Sequence, residues 1–204
     1  MVLGLALLTP LALLGAIFYL IHHIIVKANL FLIAGVANRL TGSAELSRMG
    51  GLYKSAPLLA ILFLIPAFSL AGFPPLSGFW AKFLLVKASA EIEAWVVAFV
   101  ALAVGLLTIY SMTKIWAGAF WAPHPDGVEP SVSKLTPAGR LALLTPIAGL
   151  AVMTIIIGLA PEPFVQFAEV AAAQLLDPSA YVAAVLEPQT QAALSAPASP
   201  PATP

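Results

Sequence analysis

The chain of 204 residues is apolar throughout, with 61% hydrophobic and 9% charged residues and a mean hydropathy of +1.00. Soluble domains carry about 25% charged residues, so this chain cannot cover a water-facing surface and is predicted to lie in lipid. Its net charge of zero gives no electrostatic reason to bind nucleic acid, and the absence of cysteine excludes disulfides and thiolate metal sites.

The apolar stretches predict an all-α fold, a polytopic membrane helix bundle with four full spans. A helical span needs about 20 mostly apolar residues. Residues 1–10 are too short and form a partial span that ends at Thr9-Pro10. The four full spans are predicted at 11–37, 57–90, 94–121 and 139–160.

The second full span is predicted to be discontinuous. Its middle reads Gly-Phe-Pro-Pro-Leu-Ser-Gly, residues 72–78. Two prolines remove two backbone donors and the flanking glycines loosen the chain, so one continuous helix is excluded. The residues that make this helix break are Gly72, Pro74, Pro75 and Gly78.

The C-terminal part changes in character. Residues 161–187 are predicted to form an interfacial, partly helical segment, in which Asp177-Pro178-Ser179 marks a turn or a new helix start. Residues 188–204 are rich in Pro, Ala and Ser and are expected to be a disordered tail.

The loop charges predict an orientation. The loop 38–56 has three basic residues and the loop 122–140 has two. After Arg140, by contrast, all the charged residues are acidic. The positive-inside rule therefore places both loops in the cytoplasm and the C-terminus outside.

Ionisable residues inside the spans are candidates for function, because each costs at least about 2.5–3.5 kcal/mol at the bilayer centre. His23 and Lys27 are four residues apart and share a helix face with Tyr19, whereas His22 points about 100° away. These groups favour a proton path. The alternative is that the histidines only satisfy a buried hydrogen bond between helices.

Lys82 lies one turn after the break, near the start of the second half-helix. The positive end of that helix and the apolar surroundings both disfavour the charged amine, so that Lys82 could exchange a proton near working pH. The alternative is a lysine that snorkels to the interface, as Lys87 and Lys114 are expected to do.

Two motifs carry a family resemblance. The first is residues 22–35, from His22-His23 through Lys27-Ala28-Asn29-Leu30-Phe31 to Gly35. The second is Met49-Gly50-Gly51-Leu52-Tyr53 followed by the run Ala71 to Phe83. They resemble the C-terminal part of the NADH:quinone oxidoreductase/Mrp antiporter transmembrane family. Residues 175–186 are most similar to the branch formed by the D-type subunits of Mrp-type Na+/H+ antiporters.

The resemblance covers about residues 1–187. It implies that residues 1–160 are the C-terminal part of a proton-translocating domain, with 11–160 as the last four of fourteen helices. It also implies that His23 and Lys27 belong to a central hydrophilic axis, with His22 beside them, and that Lys82 is the terminal lysine on the broken helix.

The chain departs from the family pattern in one large respect. Family members have two inverted repeats, and the first carries a membrane glutamate with a partner lysine. No counterpart of that half, and no carboxylate within a span, is found in this sequence. We therefore expect a fragment or a split subunit that transports nothing without the missing N-terminal half and its partner subunits.

Three functions follow as hypotheses. The first is a proton-conducting subunit of a multisubunit cation/proton antiporter, exchanging Na+ or K+ for H+ in the cell inner (plasma) membrane together with other hydrophobic subunits. The second is an antiporter-like, proton-pumping subunit of a complex I type oxidoreductase or a membrane-bound hydrogenase. The third is a truncated assembly subunit that does not transport. No nucleotide, flavin or metal motif is seen, so no cofactor and no enzymatic activity of the chain itself are expected.

Overall fold

A computed structural model describes residues 2–125, 127 and 136–185. These residues contain helices and connecting turns without a β-strand, which confirms the predicted all-α class. The helices are α1 (Val2–Leu7), α2 (Pro10–Thr41), α3 (Leu52–Ser55), α4 (Pro57–Ala71), α5 (Ser77–Glu91), α6 (Trp95–Trp116), α7 (Pro137–Leu159) and α8 (Glu162–Leu176). A short 3₁₀ turn covers Leu46–Arg48, a π-helical turn, Ala117–Trp121, extends α6, and residues 179–185 are again helical.

Helix α2 is the centre of the bundle. It begins after Thr9, whose hydroxyl accepts the amide hydrogen of Ala12, and the ring of Pro10 fits the first helical position. Its 32 residues give a length of about 48 Å. Helices α1, α4, α5, α7 and α8 all pack on it. Two apolar clusters result, one along its C-terminal half with α4 and α7, the other along its N-terminal half with α5 and α8.

The stretch 57–91 forms two helices with residues 72–76 between them. Gly72 ends α4 with φ of 92°, a left-handed conformation that glycine adopts without strain, and its amide donates to the carbonyls of Phe68 and Ser69. The Pro74–Pro75 peptide bond is cis. Gly78 lies just inside α5 rather than in the gap.

In the described part of the chain, three helices are long and apolar enough to cross a membrane by themselves: α2, α7 and Trp95–Trp121. Helices α4 and α5 have 15 residues each, about 22 Å, and are too short for this singly. Helix α6 packs on α4 and α5 and leaves most of its surface exposed.

The end of α7 meets the helix break. An added Cβ at Gly158 would overlap the carbonyl oxygen of Pro75 and approach the backbone of Leu76, so the two backbones are in direct contact. The indole of Trp80 on α5 donates to the carbonyl of Gly158 at 2.8 Å. Together these contacts fix α5 and the break against α7.

Helix α8 lies along α2 and buries Ala168 and Ala172. After it, the Asp177 carboxylate accepts the amide hydrogen of Ser179, where the next helical turn begins. Hydrogen bonds from Ser179 hold the pKa of Asp177 below its usual range. The predicted loop 38–56 is shorter, because α2 runs to Thr41 and α3 forms within it. Most of the loop 122–138 and the expected tail 188–204 lie outside the described residues.

Candidate functional site

His22 faces the interior of the bundle and contacts the helix break. Its Nδ1 lies 2.8 Å from the hydroxyl of Ser77, the first residue of α5, and only 1% of His22 is exposed. The Ser77 hydroxyl lies 3.0 Å from that of Ser69 on α4, which in turn accepts the amide hydrogen of Gly78 at 3.2 Å. The three side chains are all buried and join α2 to both halves of the broken helix.

His23 lies one position round the helix and is half-buried. Its ring stacks on Tyr19 with a centroid distance of 5.7 Å, and the same tyrosine ring meets His22 edge-on. Tyr19 therefore contacts both histidines. The hydrogen bond to Ser77 belongs to His22, so the two imidazoles share Tyr19 and differ in this second neighbour.

Lys27 is exposed, on the side of α2 away from the bundle core. Ile24 and Phe31, which flank it on the same side, are exposed by 60% and 71%. No hydrogen bond or ion pair of Lys27 is found among the described residues. Lys27 thus lies on the outer face of the helix bundle.

Lys82 reaches back across the helix break. Its Nζ donates a hydrogen bond of 2.5 Å to the carbonyl of Ala71, the last residue of α4. Two glycines leave room for this side chain: an added Cβ would lie 2.6 Å from the lysine Cδ at Gly72, and 3.0 Å from Nζ at Gly105 of α6. The amine therefore lies between α4 and α6.

A cavity of about 480 Å³ adjoins Lys82 between α4, α5 and α6. Its walls are mostly apolar, and Lys82 is the charged group that faces it. Its lining comprises Ala71, Gly72, Phe79, Lys82, Phe83, Val86, Leu102, Gly105, Leu106 and Ile109.

The position of the amine corrects one step of the sequence argument. The place of Lys82 after the break predicts that it feels the positive N-terminal end of α5. The ammonium lies instead against a carbonyl at the C-terminal end of α4, which carries partial negative charge and stabilises a cation. The helix dipole that it meets therefore favours the charged form, while the apolar walls of the cavity oppose it.

Sequence reasoning missed Ser69, Ser77, Asn29 and Gly105. Asn29 lies two turns after His22 on the same face of α2 and is fully buried, and its amide has no partner among the described residues. The two serines stand close to the break in an otherwise apolar stretch, and that polarity is a signal that could have found them. Gly105 lies 23 positions from Lys82, and no local pattern could have linked them.

Comparisons with known proteins agree with this architecture. The family described as "NADH:quinone oxidoreductase/Mrp antiporter, TM" matches residues 1–108. The chain is 50% identical over 187 residues to the D-type subunit of the Na(+)/H(+) antiporter of Alkalihalophilus pseudofirmus, a match that covers 92% of this chain and 37% of that protein. The chain thus spans somewhat more than a third of the length of this curated relative.

Two solved structures are also similar. The Mrp complex from Dietzia sp. matches with a TM-score of 0.77 and 37% identity, over 90% of this chain and 41% of the matched chain. Respiratory complex I from Thermus thermophilus with bound NADH matches with a TM-score of 0.66 and 29% identity, over 85% and 36%. With the apolar helices and the broken helix described above, these matches establish that the chain is a multi-pass membrane protein of the NADH:quinone oxidoreductase/Mrp antiporter transmembrane family.

Proposed function

We propose that the chain is the proton-conducting part of a multisubunit cation/proton antiporter that exchanges Na+ or K+ for H+. The observation that carries the proposal is the position of Lys82, whose amine lies at a helix break beside a mostly apolar cavity. An ionisable group in such a place is energetically costly, and membrane proteins normally keep one only where it has a function. The similarity to a curated Na(+)/H(+) antiporter protein supports this transport class over the others.

Lys82 is the principal proton-exchanging group in this proposal. The carbonyl of Ala71 stabilises the ammonium, and the apolar cavity stabilises the neutral amine, so both forms are accessible. Lys27 and His23 form a second exchange point on α2, and His22 joins α2 to the break. The four residues lie on α2 and α5, which pack against each other.

The surface around Lys27 supports a need for partners. A lysine in the middle of an exposed apolar helix face would cost at least about 2.5–3.5 kcal/mol against lipid. We therefore place protein against this face of α2: the N-terminal half that the family repeat pattern requires, or a neighbouring hydrophobic subunit. The proposed orientation keeps the C-terminus outside.

The test is antiport in everted membrane vesicles from cells that express the chain with its genomic neighbours. A Na+ or K+ pulse should dissipate a preformed proton gradient. Lys82→Ala and His23→Ala are expected to lower the initial rate at least tenfold, since proton-transfer groups contribute about 10²–10⁴-fold. The matched control is Lys87→Ala on the same helix as Lys82, where the lysine is exposed and pairs with Glu91.

Full antiport by Lys82→Ala and His23→Ala, at normal expression, would instead support the assembly role without transport. The similarity to complex I favours a second candidate, a proton-pumping subunit of a redox complex. Co-purification separates the two: hydrophobic antiporter subunits would accompany an antiporter, whereas peripheral subunits with flavin and iron–sulfur centres would accompany a redox pump.

A further inference from the structure

The hydrogen bonds between His22 and the break have a direction that the surrounding groups decide. The series of hydrogen bonds runs from the amide of Gly78 to Ser69 Oγ, then to Ser77 Oγ and to Nδ1 of His22, with distances of 3.2, 3.0 and 2.8 Å. Its first member is a backbone N–H, which can only donate. All the side chains in it are almost fully buried.

Ser69 decides the direction of the next bond. Buried Ser89 and Thr154 donate to the carbonyl four residues earlier in their own helices, but Ser69 has no such bond. The one acceptor for its hydroxyl hydrogen among the described residues is Ser77 Oγ. If Ser77 donated to Ser69 instead, the Ser69 hydrogen would be buried without an acceptor, which is unfavourable.

The direction of the bond between Ser77 and the imidazole follows from the bond between the two serines. Ser77 accepts from Ser69, and its own hydrogen has Nδ1 of His22 as its acceptor. Nδ1 is then unprotonated, and the hydrogen of the neutral ring lies on Nε2. The break also holds the ring in place, because an added Cβ at Gly78 would lie 2.9 Å from its Cε1.

We infer that His22 is a positioning residue: the helix break holds it as the neutral Nε2–H tautomer, a fixed hydrogen-bond donor inside the bundle, rather than as a carrier of transported protons. The reason is the member of the hydrogen-bond series farthest from His22, the amide of Gly78. A proton passed toward Ser69 would stop at the amide of Gly78, which releases none, so the series fixes the ring and conducts nothing.

The donor needs an acceptor. Nε2 is buried and has no partner among the described residues, so its hydrogen points to an oxygen beyond them. A bound water and an oxygen of neighbouring protein offer the same chemistry. In either case His22 orients that oxygen, and its ring lies edge-on against Tyr19, which also stacks on His23.

The first experiment reads the tautomer directly, by nitrogen-15 NMR of histidine-labelled protein in lipid nanodiscs with the subunits that co-purify. His22→Gln assigns its signals. The expected pattern is a protonated Nε2 and an unprotonated, hydrogen-bonded Nδ1, with the Nδ1 signal shifting in Ser69→Ala. Ser89→Ala, an equally buried serine of α5 that bonds within its own helix, should leave it unchanged. A protonated Nδ1, or no response to Ser69→Ala, would overturn the assignment.

The same sample identifies the acceptor. Rapid transfer of magnetisation from water to the Nε2 hydrogen would name a bound water, and protection from exchange would name a protein oxygen. A neutral His22 ring without a hydrogen on Nε2 would contradict the fixed-donor role.

The second experiment rests on the proposed function and uses the vesicle assay. Gln places an amide donor where Nε2 lies but cannot titrate. His22→Gln is expected to keep at least a third of the parent antiport rate, whereas His22→Leu should lose at least tenfold. Equal loss in both would show that His22 itself carries protons. Failure of the proposed function would give a different result, normal antiport in Lys82→Ala. That result would leave the assigned tautomer of His22 unaffected.

Discussion

The ammonium of Lys82 donates to the carbonyl of Ala71, so a lysine of α5 caps the C-terminus of α4 across the helix break. The contact spans 11 positions of sequence and places a cation at a helix C-terminus, where the helix dipole stabilises it. The helix break therefore supplies the hydrogen-bond acceptor that holds the Lys82 ammonium.

Lys82→Arg separates charge from proton exchange. Arginine keeps the positive charge and can still donate to Ala71, but it does not deprotonate in proteins. We expect normal assembly and at least a tenfold loss of antiport in everted vesicles. Antiport near the parent rate, in a variant that assembles normally, would mean that only a fixed charge is needed at this position.

Gly105→Ala tests the space beside the amine. The added methyl carbon would lie 3.0 Å from Nζ, so the lysine must move or lose its bond to Ala71. We expect a severalfold loss of antiport at normal expression. Gly149→Ala is the matched control, since a Cβ there meets nothing within 4 Å. Equal rates in both variants would show that the position of Nζ is not critical.

Gly158→Ala should destabilise the protein. The methyl carbon would overlap the carbonyl of Pro75, and a rigid backbone cannot yield as a flexible side chain does. Overpacking of this kind costs about 1–3 kcal/mol. Thermal unfolding of the purified protein, followed by tryptophan fluorescence, should show a lower midpoint than for Gly149→Ala. An unchanged midpoint would mean that α7 and the break separate freely.

The orientation can be read with single cysteines, because the natural chain has none. Ala44→Cys, in the turn after α2, is expected to react with an impermeant maleimide only after the cells are opened. Ala180→Cys, beyond α8, should react in intact cells. The reverse pattern would invert the proposed topology and with it the direction of the proposed proton path.

The face around Lys27 is expected to be covered in the assembled protein. A spin label at Ala28→Cys should be accessible to oxygen dissolved in lipid when the chain is purified alone, and protected when partner subunits are present. Equal accessibility in both preparations would place Lys27 against lipid and remove it from the proposed proton path.

The chemistry of single residues made part of this architecture predictable. Proline and glycine cannot continue a helix at residues 72–76, and the rotation of about 100° per residue separates His22 from His23 on α2. The direction of the Lys82 side chain was not predictable, because it depends on Gly105 from a different helix. The bond between His22 and Ser77 likewise joins residues 55 positions apart.

Helix α6 has a consequence for the cavity beside Lys82. It forms the far wall of the Lys82 cavity, yet it packs chiefly on α4 and α5 and has few buried side chains, whereas α2 is surrounded on most sides. Of the long helices in the described part of the chain, α6 has the fewest buried side chains. A shift of α6 would therefore reshape the cavity beside Lys82 with little disturbance of α2, to which His22 belongs.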